Sequence, residues 1–158
     1  MIQLAIPGYK ETEIHLEYLL LDFNGTLAID GRLMGQVKEK LIKISEKLQI
    51  HILTANTFGT ASEELIDIPC KLVLLPEKNQ CFEKGKYTRE LSKDSIISIG
   101  NGRNDKEMFQ NSAIRIIVIQ TEGAAIDTLN SADIVCSNIL DALDLIDNPL
   151  RLTATLRS

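Results

Sequence analysis

Near-continuous apolar runs at residues 18–21, 97–99 and 114–119 leave few architectures open to this chain. A strand with water on one face alternates apolar and polar residues. Strands apolar at nearly every position are covered on both faces, as parallel strands between helical layers are. Further candidate strands lie at 49–53, 71–75 and 133–135, and the first three extend to 17–23, 95–99 and 114–119. Helical patterns fall between them, at 35–48, 61–66, 80–91, 105–111, 123–130 and 139–146. Leu41, Ile44 and Leu48 recur at helical spacing and mark one buried stripe. Thr60-Ala61-Ser62-Glu63 has capping-box spacing, so a helix is expected to start there. Strand–helix alternation along the whole length predicts a Rossmann-like three-layer α/β/α sandwich with a central parallel sheet and right-handed crossovers.

The 158 residues suffice for one domain with a real core and are too few for two ordinary ones. Residues 1–158 are therefore read as a single unit with three appendages. Pro7-Gly8 between two apolar segments predicts an N-terminal hairpin over 1–16, set against the sheet edge. Asp30-Gly31 is a strong turn signal for a second hairpin at 27–35. The tail at 148–158 reads as a short docked or frayed segment. A formal charge of −5 disfavours nucleic acid and anionic membranes as general partners. No apolar run approaches the ~20 residues that cross a bilayer, so no membrane insertion is expected. The start of the chain lacks the pattern of a signal peptide, and the three cysteines lack CxxC spacing. Both point to a cytoplasmic protein with reduced, mostly buried thiols.

The chemistry gathers at predicted strand ends, where open α/β sheets place ligands. Asp22-Phe23-Asn24-Gly25-Thr26 ends the first long strand, and Thr54-Ala55-Asn56 ends the second. Gly100-Asn101-Gly102-Arg103-Asn104-Asp105 follows a buried strand, and Lys84 lies in the helix leading into it. This set suits phosphoryl transfer. A carboxylate nucleophile splits one hard displacement into two easier ones. Mg²⁺ on oxygen ligands and a lysine offset the phosphate charge. A threonine hydroxyl and free turn N–H groups bind the remaining oxygens. His15 and His51 read as surface or packing residues, and Arg103 either as a substrate contact or as an exposed loop side chain.

Together these strings resemble the four motifs of the haloacid dehalogenase-like (HAD) superfamily, over roughly residues 17–135. Thr54-Ala55-Asn56 and 100–105 look closest to the TGD and GDGxND strings of P-type ATPases, so the whole chain resembles their soluble relatives. The resemblance implies a HAD-like fold without a cap domain and a phosphatase-type hydrolase. By matching position, Asp22 is the nucleophile and a metal ligand, and the Asn24 backbone carbonyl is a second ligand. Thr54 and Lys84 serve the phosphoryl group, together with Ala55 and Gly102. Asp105 holds Mg²⁺ directly or through water, with Asn101 beside it. Lys78 and Lys86 compete for the lysine role; Lys84 is preferred because Leu91 then aligns as the buried end of the helix.

Three positions depart from the pattern. Asn24 replaces the aspartate that protonates the leaving group in the family's phosphatases, which implies slow hydrolysis, since positioned acid–base groups contribute typically ~10²–10⁴-fold. Asn101 replaces the first aspartate of the fourth motif, and Asn56 stands where the ATPase string has aspartate. The gaps from Asp22 to Thr54 and on to Lys84 are too short for an inserted cap. An open site is expected unless the 27–35 hairpin or a neighbouring copy in a homo-oligomer covers it. The partner implied is a phosphorylated substrate, whose identity the sequence leaves open. The rival reading is a catalytically impaired scaffold that uses the same cleft for Mg²⁺, an anion or a protein; a third, docking to a membrane transporter, rests on the ATPase resemblance alone.

Overall fold

The computed structural model describes residues 1–9 and 13–158. Six parallel strands form the central sheet: β3 (Tyr18–Asp22), β6 (Gln49–Thr54), β7 (Cys70–Leu74), β8 (Ile96–Gly100), β9 (Ile114–Val118) and β10 (Ile134–Cys136). Their spatial order is β10-β9-β8-β3-β6-β7. The chain runs outward from β3 through β6 to β7, then crosses back and runs outward again from β8. The strand order therefore reverses beside β3 and β8, and the crevice at such a switch point is where this class of sheet binds ligands.

Alternation along the strands supplies two cores. Leu19, Leu21, Ile97 and Ile99 face a layer formed by α1 (Val37–Ser45), α2 (Ala61–Glu64), α6 (Ile139–Asp147) and α7 (Pro149–Leu156). Leu20, Leu53, Ile96 and Ile117 face the other way, onto Met108 and Phe109 of α4 (Lys106–Gln110) and the partly buried Tyr87 of α3 (Gln80–Arg89). Leu19, Leu20 and Leu21 are all fully buried, which is why β3 reads as one unbroken apolar run. The helix expected at 123–130 shrinks to one turn, α5 (Ile126–Leu129), because Gly123 is left-handed and Ala125 is extended.

The N-terminal hairpin and the start of α2 differ from expectation. Strands β1 (Ile2–Leu4) and β2 (Ile14–Leu16) pair antiparallel with Ile2 opposite Leu16, while the connection at 10–12 lies outside the described residues. This hairpin is not on the sheet edge: β2 runs straight into central β3, and Glu17 N–H bonds Ser95 O beside the start of β8 at 2.9 Å. The tail is docked, as one of its two expected readings had it. Pro149 opens α7 at a first-turn position, where its missing N–H costs nothing, and Leu152 is buried. Thr60 does precede α2, but it does not cap it. Its hydroxyl donates to Gly31 O at 2.5 Å, and Asn56 Oδ1 accepts the Ala61 N–H at 3.0 Å instead.

That Thr60 bond fixes the second hairpin, β4 (Ala28–Ile29) with β5 (Arg32–Leu33). Asp30 and Gly31 both have positive φ, the pair of left-handed residues that a type I′ turn needs. A Cβ on Gly31 would lie 2.6 Å from Phe58 Cβ, so the tip packs against the loop after β6. The cysteines are all unpaired thiols: Cys136 is buried, whereas Cys70 and Cys81 are half-buried, so burial is less complete than expected. Burial pushes the Cys136 thiol up to about 11, away from the reactive thiolate form. Among the described residues no helix is long and apolar enough to cross a membrane.

Candidate active site

The β3 strand delivers Asp22 to the switch point, and the turn behind it is built by one carbonyl. Phe23 O accepts the N–H groups of Thr26, Leu27 and Ala28 at 3.2, 2.8 and 2.9 Å. Gly25 is left-handed within this turn, and a Cβ there would fall 2.5 Å from Asn101 Nδ2. Only glycine lets the loop after β3 touch the loop after β8. At the end of β8, a Cβ on Gly100 would meet Asp105 Cγ at 2.5 Å. That space lets Asp105 fold back, so that Oδ2 accepts the N–H groups of Asn101 and Gly102 at 3.0 and 2.8 Å.

Lys84 joins the two loops. Its ammonium is fully buried and donates to Asp22 Oδ1 at 2.5 Å and to Asp105 Oδ1 at 2.6 Å. Lys78 and Lys86 are both exposed, which settles which lysine of this segment turns inward. Two carboxylates around one ammonium leave a net negative charge in a dry setting. Burial, reinforced by the charge of Asp105 and opposed by Lys84, pushes the Asp22 carboxyl up to about 6. Burial alone would favour a neutral Lys84 amine, but the flanking carboxylates outweigh it and hold the group above the usual lysine range.

Asp22, Asn24, Thr54, Ala55, Asn101 and Gly102 line one cavity of about 220 Å³. Thr54 Oγ1 accepts the Asn56 N–H at 2.9 Å, which leaves its own proton for the cavity. Lys84 and Asp105 do not line it; they stand behind Asp22 and act on the space through that carboxylate. The rim is Thr57, Gln80, Asn104 and Glu122, with no residue of the 27–35 hairpin among them, so the hairpin does not cover the opening. A wider cleft of about 700 Å³ lies at the opposite, strand-start end near Lys47, Gln49 and Cys70. It contains none of this constellation. His51 borders that cleft and packs between Tyr18 and Tyr87, a structural role.

The oxygens facing the cavity suit a hard divalent cation. Asn24 Oδ1 is buried without any hydrogen-bond partner. The Thr26 hydroxyl lies 3.2 Å from both Asp22 Oδ2 and Asn101 Oδ1, and its single proton can serve only one of them. At least two acceptors are thus short of a donor, which an oxygen-seeking cation such as Mg²⁺ would correct. Both oxygens of Asp105 are already engaged, so its part in holding a cation is at most indirect in this arrangement. Among the described residues no three His, Cys, Asp or Glu side chains cluster at metal-binding spacing, because amides occupy positions 24 and 101.

Several site residues escaped the sequence reading. Thr26 lies inside the motif already singled out, yet only its burial and contacts reveal its role. Gln120 follows β9 and donates to Gly25 O and Thr26 O at 2.9 and 2.7 Å, while its Oε1 accepts the Ile139 N–H at 3.0 Å. The strand-end rule that found Asp22 and Thr54, applied to β9, points to Gln120 and Glu122 as well.

This fold is that of the haloacid dehalogenase-like hydrolases. The cobalt-bound deoxy-D-mannose-octulosonate 8-phosphate phosphatase of Haemophilus influenzae superposes with a TM-score of 0.69, at 15% identity over 91% of this chain and 94% of that one. A Legionella pneumophila protein assigned to subfamily III A of the HAD superfamily hydrolases gives 0.69, at 17% identity over 89% and 87%. The Moraxella catarrhalis 3-deoxy-D-manno-octulosonate 8-phosphate phosphatase, in complex with magnesium, phosphate and KDO, gives 0.62, at 15% over 91% and 95%. No known family profile matches the chain. In sequence, the chain belongs to the same family as Uncharacterized protein MJ0073 of Methanocaldococcus jannaschii, 47% identical over 78 residues that cover 47% of this chain and 84% of that one.

Proposed function

We propose that the chain is a slow, Mg²⁺-dependent phosphohydrolase that works through an aspartyl phosphate on Asp22. The observation that carries this reading is the division of labour on that carboxylate. Oδ1 is held by Lys84, and the side chain still opens onto a polar cavity the size of a phosphoryl group and its first neighbours. Asp22 is ionised at neutral pH, as a nucleophile must be, and Lys84 fixes its orientation. Attack on phosphorus breaks the bond to the leaving oxygen; water then cleaves the acyl phosphate and frees Asp22. Thr54 and the Ala55 turn receive phosphoryl oxygens. Bound at Asp22, Asn24 and Asn101, a divalent cation would offset the phosphoryl charge as it develops.

Hydrolysis of an aryl phosphate with Mg²⁺ tests the assignment: Asp22→Asn should show no turnover, and activity that survives the change removes Asp22 from the mechanism. A stability measurement separates this loss from misfolding. The Asp22 carboxyl is raised in the folded state, from 3.8 to about 6. Its contribution to stability is therefore complete below pH ~4 and lost as pH rises through ~6. Above that range the buried charge costs on the order of 1–3 kcal/mol. Urea unfolding without divalent cation should find Asp22→Asn more stable than wild type at pH 8, with the difference closing by pH 4.

A second reading has its own support. Asn24 and Asn101 put amides where the family's pattern has carboxylates, and Lys84 already occupies Asp22 Oδ1 and Asp105 Oδ1. A binding protein using the same cleft would retain the Mg²⁺ and beryllium fluoride thermal shift of an acyl-phosphate mimic and show no turnover.

A further inference from the structure

Glu122 has no place in the scheme above, and we propose that it is the proton-transfer group that position 24 lacks, an inference that rests on the phosphohydrolase reading. Protonation of a leaving alkoxide and activation of water both need a titratable group at the reacting atoms. The Asn24 amide cannot exchange a proton under these conditions. Asp22 is consumed as the nucleophile, and Lys84 and Asp105 are sealed behind it. Of the side chains lining the cavity, only Asp22 and Glu122 are carboxylic acids, and none is a histidine, lysine, cysteine or tyrosine.

The loop that carries Glu122 is held in place from both sides. Gln120 to Gly123 forms a turn closed by Gly123 N–H on Gln120 O at 2.7 Å, with Gly123 at positive φ and with Thr121 and Glu122 as its two central residues. At one end, Gln120 grips the loop after β3 through Gly25 O and Thr26 O. At the other, Asn101 Nδ2 donates to Gly123 O at 3.0 Å, and Ala125 N–H bonds Asn101 O at 2.8 Å. The turn is tied to the nucleophile loop and to the loop after β8, and Glu122, exposed to solvent, lines the cavity they share. Anchoring of this kind is needed where a proton must be delivered to a defined atom.

In the first half-reaction an Asp22 oxygen bonds phosphorus as the P–OR bond breaks, and the proton of Glu122 passes to the RO oxygen to give ROH. In the second, the Glu122 carboxylate takes a proton from water as the water oxygen bonds phosphorus. The P–O bond to Asp22 breaks, which returns inorganic phosphate, the Asp22 carboxylate and protonated Glu122.

The test compares wild type with Glu122→Gln on two Mg²⁺-loaded substrates, p-nitrophenyl phosphate and glycerol phosphate. Nitrophenolate leaves without a proton, so the variant should still release one equivalent in a rapid burst and then stall. Glycerol phosphate needs the proton in the first step, so its turnover should fall about 10²-fold with no burst. Adding Asn24→Asp to Glu122→Gln should restore glycerol phosphate turnover to the level of Asn24→Asp alone. If Glu122→Gln leaves both substrates unchanged, or lowers burst and turnover equally without rescue, the assignment of Glu122 is overturned while the nucleophile stands. Wild type with neither burst nor turnover would overturn both.

Discussion

Asn24→Asp should raise the turnover of alkyl phosphates by up to about 10²-fold, the part of the ~10²–10⁴-fold range of a positioned acid–base group that Glu122 does not already supply. The exchange is nearly isosteric and fills a position already oriented for the task. Asn24 lines the cavity with Asp22, and its Oδ1 is buried without a partner. The cost is electrostatic. A third carboxylate near Asp22 and Asp105, with only Lys84 to balance them, raises the net negative charge of a poorly solvated site. The variant should therefore unfold at a lower temperature than wild type without divalent cation and gain more on addition of Mg²⁺. Steady-state kinetics on glycerol phosphate and paired melting curves with and without Mg²⁺ test both halves. An unchanged kcat would mean that proton transfer does not limit the reaction, and would move the slow step elsewhere.

The sheet was legible because its strands are buried on both faces. Residues 18–21, 97–99 and 114–119 must be covered twice, and only helices on both sides do that. The strand-end rule then placed Asp22, Thr54 and the loop after β8 together, and the structure brings them to one cavity. The failures have local causes. Thr60 has the right neighbours for a capping box, but its hydroxyl satisfies the hairpin carbonyl Gly31 O, and Asn56 takes over the cap. The capping pattern specifies where a helix starts more firmly than which side chain starts it. Pro149 after Asn148 was a helix-start signal that the shortness of the tail obscured. Gln120 and Glu122 follow β9, where the strand-end rule applies, but what they do there was not legible. Their significance comes from contacts with Gly25, Thr26 and Asn101, far away in sequence, and no periodicity announces such a clamp.

Lys84→Met should destabilise the fold by about 3–5 kcal/mol at pH 8, the cost of removing one partner from a buried ionic cluster. The side chain is fully buried and donates to Asp22 Oδ1 and Asp105 Oδ1, so no water can replace it without opening the interface between α3 and the loops after β3 and β8. The loss depends on pH with a definite sign. Without the ammonium, Asp22 faces the charge of Asp105 with no cation between them, so its carboxyl, already raised by burial and by Asp105, loses the one partner that holds it down. The deficit is therefore greatest above pH ~6 and shrinks as Asp22 is protonated on acidification. Urea unfolding at pH 8 and pH 4.5 measures this directly, and an equal loss at both values would show that lost packing, rather than unpaired charge, is responsible. The double variant Lys84→Met, Asp22→Asn separates the two further. It removes one of the stranded charges, so it should recover more than a third of the single variant's loss, a non-additivity expected of residues in contact. Should the recovery be absent, Asp105 alone carries the coupling to Lys84. The lysine then belongs chiefly to the architecture of the loop after β8, and its contribution to turnover would be to hold that loop in place and not to orient the nucleophile.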